Sequence, residues 1–117
     1  MSGSVSFPND DYWSKAGWAF HAVLDFVCKD LELSGVDPLL LKELSDTAGD
    51  VRVIGYLVVN GWSEETKNNF YAAVENGYKI AVNEGVSNWN SEEGYKGFLS
   101  AFNELVEMCQ SNSEKNS

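Results

Sequence analysis

Val51-Arg52-Val53-Ile54-Gly55-Tyr56-Leu57-Val58-Val59 is the stretch whose reading decides the fold. It is rich in β-branched residues, which favour extended structure. Taken with a period of two, Val51, Val53, Gly55, Leu57 and Val59 share one face. A strand needs a neighbour, however, and the only other candidate is the short Ser4–Phe7 piece. Taken with a helical period, the same residues extend a pattern begun by Leu41, Leu44 and Ala48 and continued by Val51, Gly55 and Val58. The helical reading is favoured, with a break near Gly49. The expected fold is therefore all-α, a compact bundle of about four helices. The alternative is an α+β fold with one short hairpin or strand near 51–59.

The flanking segments support helices. Asp37-Pro38 opens the helix upstream: aspartate caps it, and proline at the first helical position forfeits no hydrogen bond. Before it, Asn9, Asp10 and Asp11 stand where a helix start wants side-chain oxygens. Trp13, Phe20, Leu24, Val27 and Leu31 then recur at steps of three, four or seven. They predict a first helix of ~20 residues ending near Ser34-Gly35. Trp18 and Phe26 lie off this stripe, so that helix is expected to be central. Downstream, Asn60-Gly61 stops the ambiguous segment and Ser63 caps a third helix, with Glu64 and Glu65 in its first turn. Phe70, Ala73, Val74, Gly77, Ile80 and Ala81 form its stripe, and Asn83-Glu84-Gly85 ends it. Asn90 and Glu93 have capping-box spacing. A fourth helix follows, with Phe98, Ala101, Phe102, Leu105 and Cys109 inward. The Ser63 and Ser91 starts resemble each other, which reflects two similarly capped helices rather than a repeat. Residues 1–117 are read as a single domain, with 1–9 and 111–117 expected to be flexible.

The chain has 117 residues, 8 lysines and arginines against 18 aspartates and glutamates, and a formal charge of -10. Bare nucleic acid and anionic membrane surfaces both demand clustered positive charge, so neither is an expected partner. The opening MSGSVSFPNDDYW lacks the basic start and apolar core of a secretory signal, and no apolar run is long enough to span a bilayer. A cytoplasmic location is the resulting expectation. Cys28 and Cys109 both fall in apolar helical patterns and are expected as buried thiols acting as small hydrophobes.

Few residues carry chemistry. Asp10-Asp11, Glu64-Glu65 and Glu92-Glu93 each sit where a helix is expected to begin. Negative charge there stabilises the helix by about 0.3–1 kcal/mol, which accounts for the pairs without an active site. The excess charge remains, because a helix dipole carries no net charge. His21 and Asp25 are spaced i, i+4, with Cys28 one turn further. A nucleophilic site strung along one helix is awkward, since residues seven apart are ~10 Å apart along the axis. Gly94-Tyr95-Lys96-Gly97 has the wrong spacing for a phosphate loop. Asp46 and Asp50 lack further fixed ligands, and His21 is the sole histidine, so no metal, cofactor or catalytic residue is expected.

The four tryptophans are more informative. Trp13, Trp62 and Trp89 each precede or begin an expected helix, where an indole commonly packs over the end of a bundle. Trp62 stands beside Glu64 and Glu65, and Trp89 beside Glu92 and Glu93. An aromatic next to two carboxylates suits a basic protein surface, with a ring for contact and acids for arginine or lysine. These six residues are the candidate partner-binding set. The expected function is that of a non-enzymatic acidic binding protein that neutralises or inhibits a basic macromolecular partner such as a nuclease or toxin. Immunity proteins, antitoxins and DNA-mimicking inhibitors work in this way. Two alternatives stand beside it. One is a small helical enzyme or ligand carrier with an internal site near His21 and the cysteines. The other is a homodimeric adaptor domain pairing surplus apolar faces.

Overall fold

The computed structural model describes residues 2–49 and 55–115. It is mostly helical, with four α-helices packed against a small three-stranded sheet. Strands β1 (Ser2–Ser6) and β2 (Tyr12–Ala16) form a hairpin, followed by helices α1 (Gly17–Ser34) and α2 (Pro38–Gly49). Strand β3 (Gly55–Val58) leads through a 3₁₀ turn to α3 (Glu64–Glu84), and α4 (Glu92–Lys115) completes the fold.

The stretch around 51–59 resolves in favour of the alternative fold. Gly55–Val58 is a strand, Val59–Gly61 is a 3₁₀ turn, and residues 50–54 lie outside the described part. The missing partner is β1. It pairs antiparallel with β2 and parallel with β3, giving the order β2-β1-β3. Ser2–Ser6, within the 1–9 stretch expected to be flexible, is the central strand, with Val5 and the following Phe7 buried. Two neighbours satisfy the main chain of β1, so it needs little apolar content of its own.

Register explains the burial. Val5 lies opposite Trp13 on one side and Leu57 on the other. All three are buried and form an apolar row across the sheet on the face turned to the helices. The next row, Lys15-Gly3-Gly55, is small at its centre, and the Phe20 ring of α1 sits directly on Gly3. Tyr12, Ser14 and Val58 lie on the opposite face and are exposed. The hairpin turns at Pro8-Asn9-Asp10. Asp10 takes a left-handed conformation (φ 70°), and Asn9 Oδ1 accepts from the Asp11 N–H at 2.9 Å. Asn9, Asp10 and Asp11 therefore shape a turn, not a helix start, and Trp13 is a strand residue.

The remaining helix boundaries follow local capping. Asp37 Oδ1 accepts from the Leu40 N–H at 3.1 Å at the start of α2. Ser63 Oγ accepts from the Thr66 N–H at 3.2 Å at the start of α3. Gly85 ends α3 with its N–H donating to Ala81. The α4 cap is one residue later than expected: Ser91, not Asn90, accepts from the Gly94 N–H at 3.0 Å. Helix α4 runs on to Lys115 with Asn112 buried, and residues 116–117 lie outside the described part. Asn112 Oδ1 accepts from the Asn9 N–H at 3.3 Å, fastening this helix to the hairpin turn. Phe98, Ala101, Phe102, Leu105 and Cys109 are all buried, as the helical stripe requires. Among the described residues no helix is long and apolar enough to cross a membrane.

Glycine has opposite consequences at two positions. At Gly77, where α3 crosses α1, a β-carbon would lie 3.0 Å from the Phe26 carbonyl oxygen and 3.2 Å from the Val27 nitrogen. Backbone cannot yield as a side chain does, so Gly77→Ala should destabilise the fold by about 1–3 kcal/mol. At Gly97, within α4, a β-carbon would meet nothing within 4 Å. Gly97→Ala should stabilise by about 0.5–1 kcal/mol through helix propensity. Urea unfolding of both variants checks the opposite signs.

Candidate functional site

The six sequence-derived binding residues fall into two groups at opposite ends of α3. Trp62, Glu64 and Glu65 lie at its N-terminal end, and Trp89, Glu92 and Glu93 beyond its C-terminal end. A helix of 21 residues spans about 30 Å, so the two groups do not form one contact patch.

The first group is tied into the fold. Trp62 is half-buried and sets its ring edge against Phe70 at 5.3 Å between centroids. Glu64 is exposed and pairs with Lys67 at 3.3 Å. Glu64 and Glu65 occupy the first turn of α3, where they favour the helix dipole.

The second group meets, through Trp89, a residue outside the candidate set. Trp89 is half-buried, stacked on Phe98 at 4.8 Å with the planes 29° apart. Tyr95 flanks it at 6.1 Å, with the Tyr95 hydroxyl donating to the Ala81 carbonyl at 3.2 Å. Trp18 of α1 meets Trp89 edge-on, at 6.2 Å and 74°, yet remains 56 % exposed. The sequence signal for it was its position off the α1 stripe. Trp89 also reaches over Gly94, with Cε3 3.9 Å from where a β-carbon would sit. Trp89 therefore adjoins the first turn of α4, where Glu92 and Glu93 are exposed. Glu92 makes only a solvent-facing pair with Lys96 at 3.5 Å.

The groups that an enzyme would need have separate surroundings. His21 is half-buried, and its Nδ1 has no hydrogen-bond partner among the described residues. Desolvation raises the Asp25 carboxyl above its ordinary value, while His21 acts in the other direction. Cys28 accepts a hydrogen bond from Ser45 of α2 at 3.7 Å, and Cys109 lies against α3. Both thiols are buried and free, and burial raises both above the usual thiol range. No hydrogen bond among the described residues joins His21 and the two thiols. Nor do the described residues bring three or more metal-ligating side chains together. Asp46 is exposed, and Asp50, its proposed companion, lies outside the described residues.

A groove of about 560 Å³ runs between α3 and α4, lined by Asn68, Tyr71, Glu75, Val106, Cys109 and Gln110 among others. The Tyr71 hydroxyl beneath it is buried without a partner among the described residues, and its pKa is pushed up from 10.0 to about 12, chiefly by burial. Folded protein holds the proton more tightly than unfolded protein. The associated stability is complete below pH 10 and is lost as pH rises towards 12. Tyr71→Phe removes an unsatisfied hydroxyl, so it should leave stability at pH 7 unchanged or raised. It should also flatten the alkaline fall relative to the unmodified chain, as followed by urea unfolding at successive pH values.

No family model, curated protein or solved structure matched this chain, so any functional reading rests on its own geometry.

Proposed function

We propose that this chain is a non-enzymatic acidic binding protein that neutralises or inhibits a basic macromolecular partner. The observation that carries this reading is the exposed Trp18 ring, set edge-on to Trp89, which is itself stacked on Phe98 and adjoins the α4 first turn. A large ring held by packing loses little freedom on binding, and such residues supply a disproportionate share of interface energy. The Glu92 and Glu93 carboxylates in the turn beside Trp89 favour arginine or lysine on the partner. The net charge of -10 supports the same reading, because a field of that sign speeds encounter with a cationic surface. A nuclease or toxin with a positively charged active site is the class of target this chemistry suits. Trp62, Glu64 and Glu65 face a different region and would at most extend a large interface.

The test is affinity capture from the native host at low and at high salt. A basic protein retained at low salt and released at high salt is the expected result. Trp18→Ala, or Glu92→Lys with Glu93→Lys, should weaken retention by about tenfold or more, in the range of an interface hot spot. The circular dichroism of the variants should stay that of the parent chain. Retention indifferent to salt and to both variants would defeat the proposal.

A further inference from the structure

Strand β2 is an edge strand whose outer side is open. The Phe7 N–H donates to the Asp11 carbonyl at 3.0 Å, which makes residues 7 and 11 a hydrogen-bonded pair. Antiparallel pairing alternates from there, so Trp13 and Lys15 turn their main-chain groups towards β1. Tyr12, Ser14 and Ala16 turn theirs outward. The same three residues are exposed in their side chains.

Edge strands are normally protected by proline, a bulge or an outward lysine. Residues 12–16 contain no proline, and their register with β1 is unbroken. The single lysine, Lys15, is drawn into an ion pair with Glu104 of α4.

Alongside this edge lies a trough of about 420 Å³. Consecutive residues Asp11–Lys15 form one wall, which is what a strand seen edge-on presents. One stripe of α4, containing Glu104, Glu107, Met108 and Ser111, forms the other. With Lys15 and Glu104 paired, the carboxylates of Asp11 and Glu107 remain as the excess charge. Their hydrogen-bond donors, Asn9 and Asn103, are neutral amides that cancel none of it.

We propose that the outer edge of β2 takes up an extended, lysine- or arginine-bearing segment of a partner as a fourth strand. The outward N–H and C=O groups supply affinity through the main chain, and the Asp11 and Glu107 carboxylates select basic side chains on the incoming strand. A second copy of this chain is the other possible occupant, but at a charge of -10 each copy repels the other. The trough is distinct from the Trp18 patch. Glu107 lies fourteen residues along α4 from Glu93, about 21 Å. Its failure would leave that patch untouched.

The probe is a short acetylated peptide of alternating lysine and threonine, added to the full chain. Binding should weaken with salt, and the amides of Tyr12, Ser14 and Ala16 should exchange with solvent at least about tenfold more slowly in its presence. The glutamate–threonine counterpart should not bind. Glu107→Lys, an exposed position, should weaken binding by about tenfold. Ser14→Pro, which removes one outward N–H at a site where an edge strand accepts proline, should do the same. The decisive control is the lysine–threonine peptide N-methylated throughout. If it binds as well as its parent, charge alone is at work and strand addition is wrong. Protection confined to other segments would overturn the proposal equally. So would a free protein of dimeric mass by light scattering whose edge amides are already protected.

Discussion

The Trp13 indole is the contact on which the arrangement of the molecule turns. It is buried in the apolar row of the sheet, opposite Val5, and packs against Phe20 of α1 at 6.1 Å. Its Nε1 donates to the Ala101 carbonyl of α4 at 2.9 Å. One side chain therefore fixes the sheet against both the helix that follows it and the helix at the far end of the sequence. A buried indole N–H without an acceptor would cost about 1–3 kcal/mol, so the hydrogen bond specifies where α4 lies as well as stabilising it. Phe20, seated on Gly3, completes the lock from the α1 side, because no larger residue at position 3 would let the ring approach.

Helices were legible in the sequence because their signals are local. Asp37 and Ser63 cap within three residues of themselves, and Gly85 stops α3 where the apolar stripe runs out. The stripes of α3 and α4 identified the buried residues nearly one for one. The sheet was legible only as the alternative, with Ser4–Phe7 as the candidate neighbour of a strand near 51–59, and for the opposite reason. Ser2–Ser6 contains a single large apolar residue, and nothing local distinguishes it from a loose tail. Its strand state is imposed by β2 and β3, the latter some fifty residues away in sequence. Trp13 misled in a specific way. It stands seven residues before Phe20, which matches two helical turns, but the packing of the rings arises because the chain changes from strand to helix between them. The Val51–Val59 stretch could not be settled without knowing that β1 exists.

The candidate site was half legible. Trp89 and the α4 carboxylates were identified from an aromatic standing next to acids, and the structure does place the ring beside that turn. Trp18 was visible only as a residue that the α1 stripe failed to bury. Pairing of two tryptophans from distant segments is a tertiary fact with no local trace. Trp62 shows the limit of the same pattern: an identical aromatic-acid spacing there accompanies a ring that caps Phe70 and acids that start a helix. Composition alone does not separate a ring that closes a core from one that leaves it.

The junction between β2 and α1 explains why Trp18 is exposed. Along β2 the side chains alternate, so Tyr12, Ser14 and Ala16 face away from the helices while Trp13 is sealed inside. When the chain enters α1 at Gly17, the period changes from two to 3.6, and the stripe that begins with Ala19 and Phe20 takes over burial. Trp18 falls at the seam and belongs to neither buried set. A chain that needed only to fold would place a polar residue there, since exposing an indole forgoes the gain of burying it, about 2–3 kcal/mol for a large apolar side chain. Instead Trp89 packs edge-on against it, and Trp89 in turn adjoins the α4 first turn, which carries Glu92 and Glu93. Fold economy accounts for the acids, but it does not account for the ring, and the ring is where the argument for a binding surface begins.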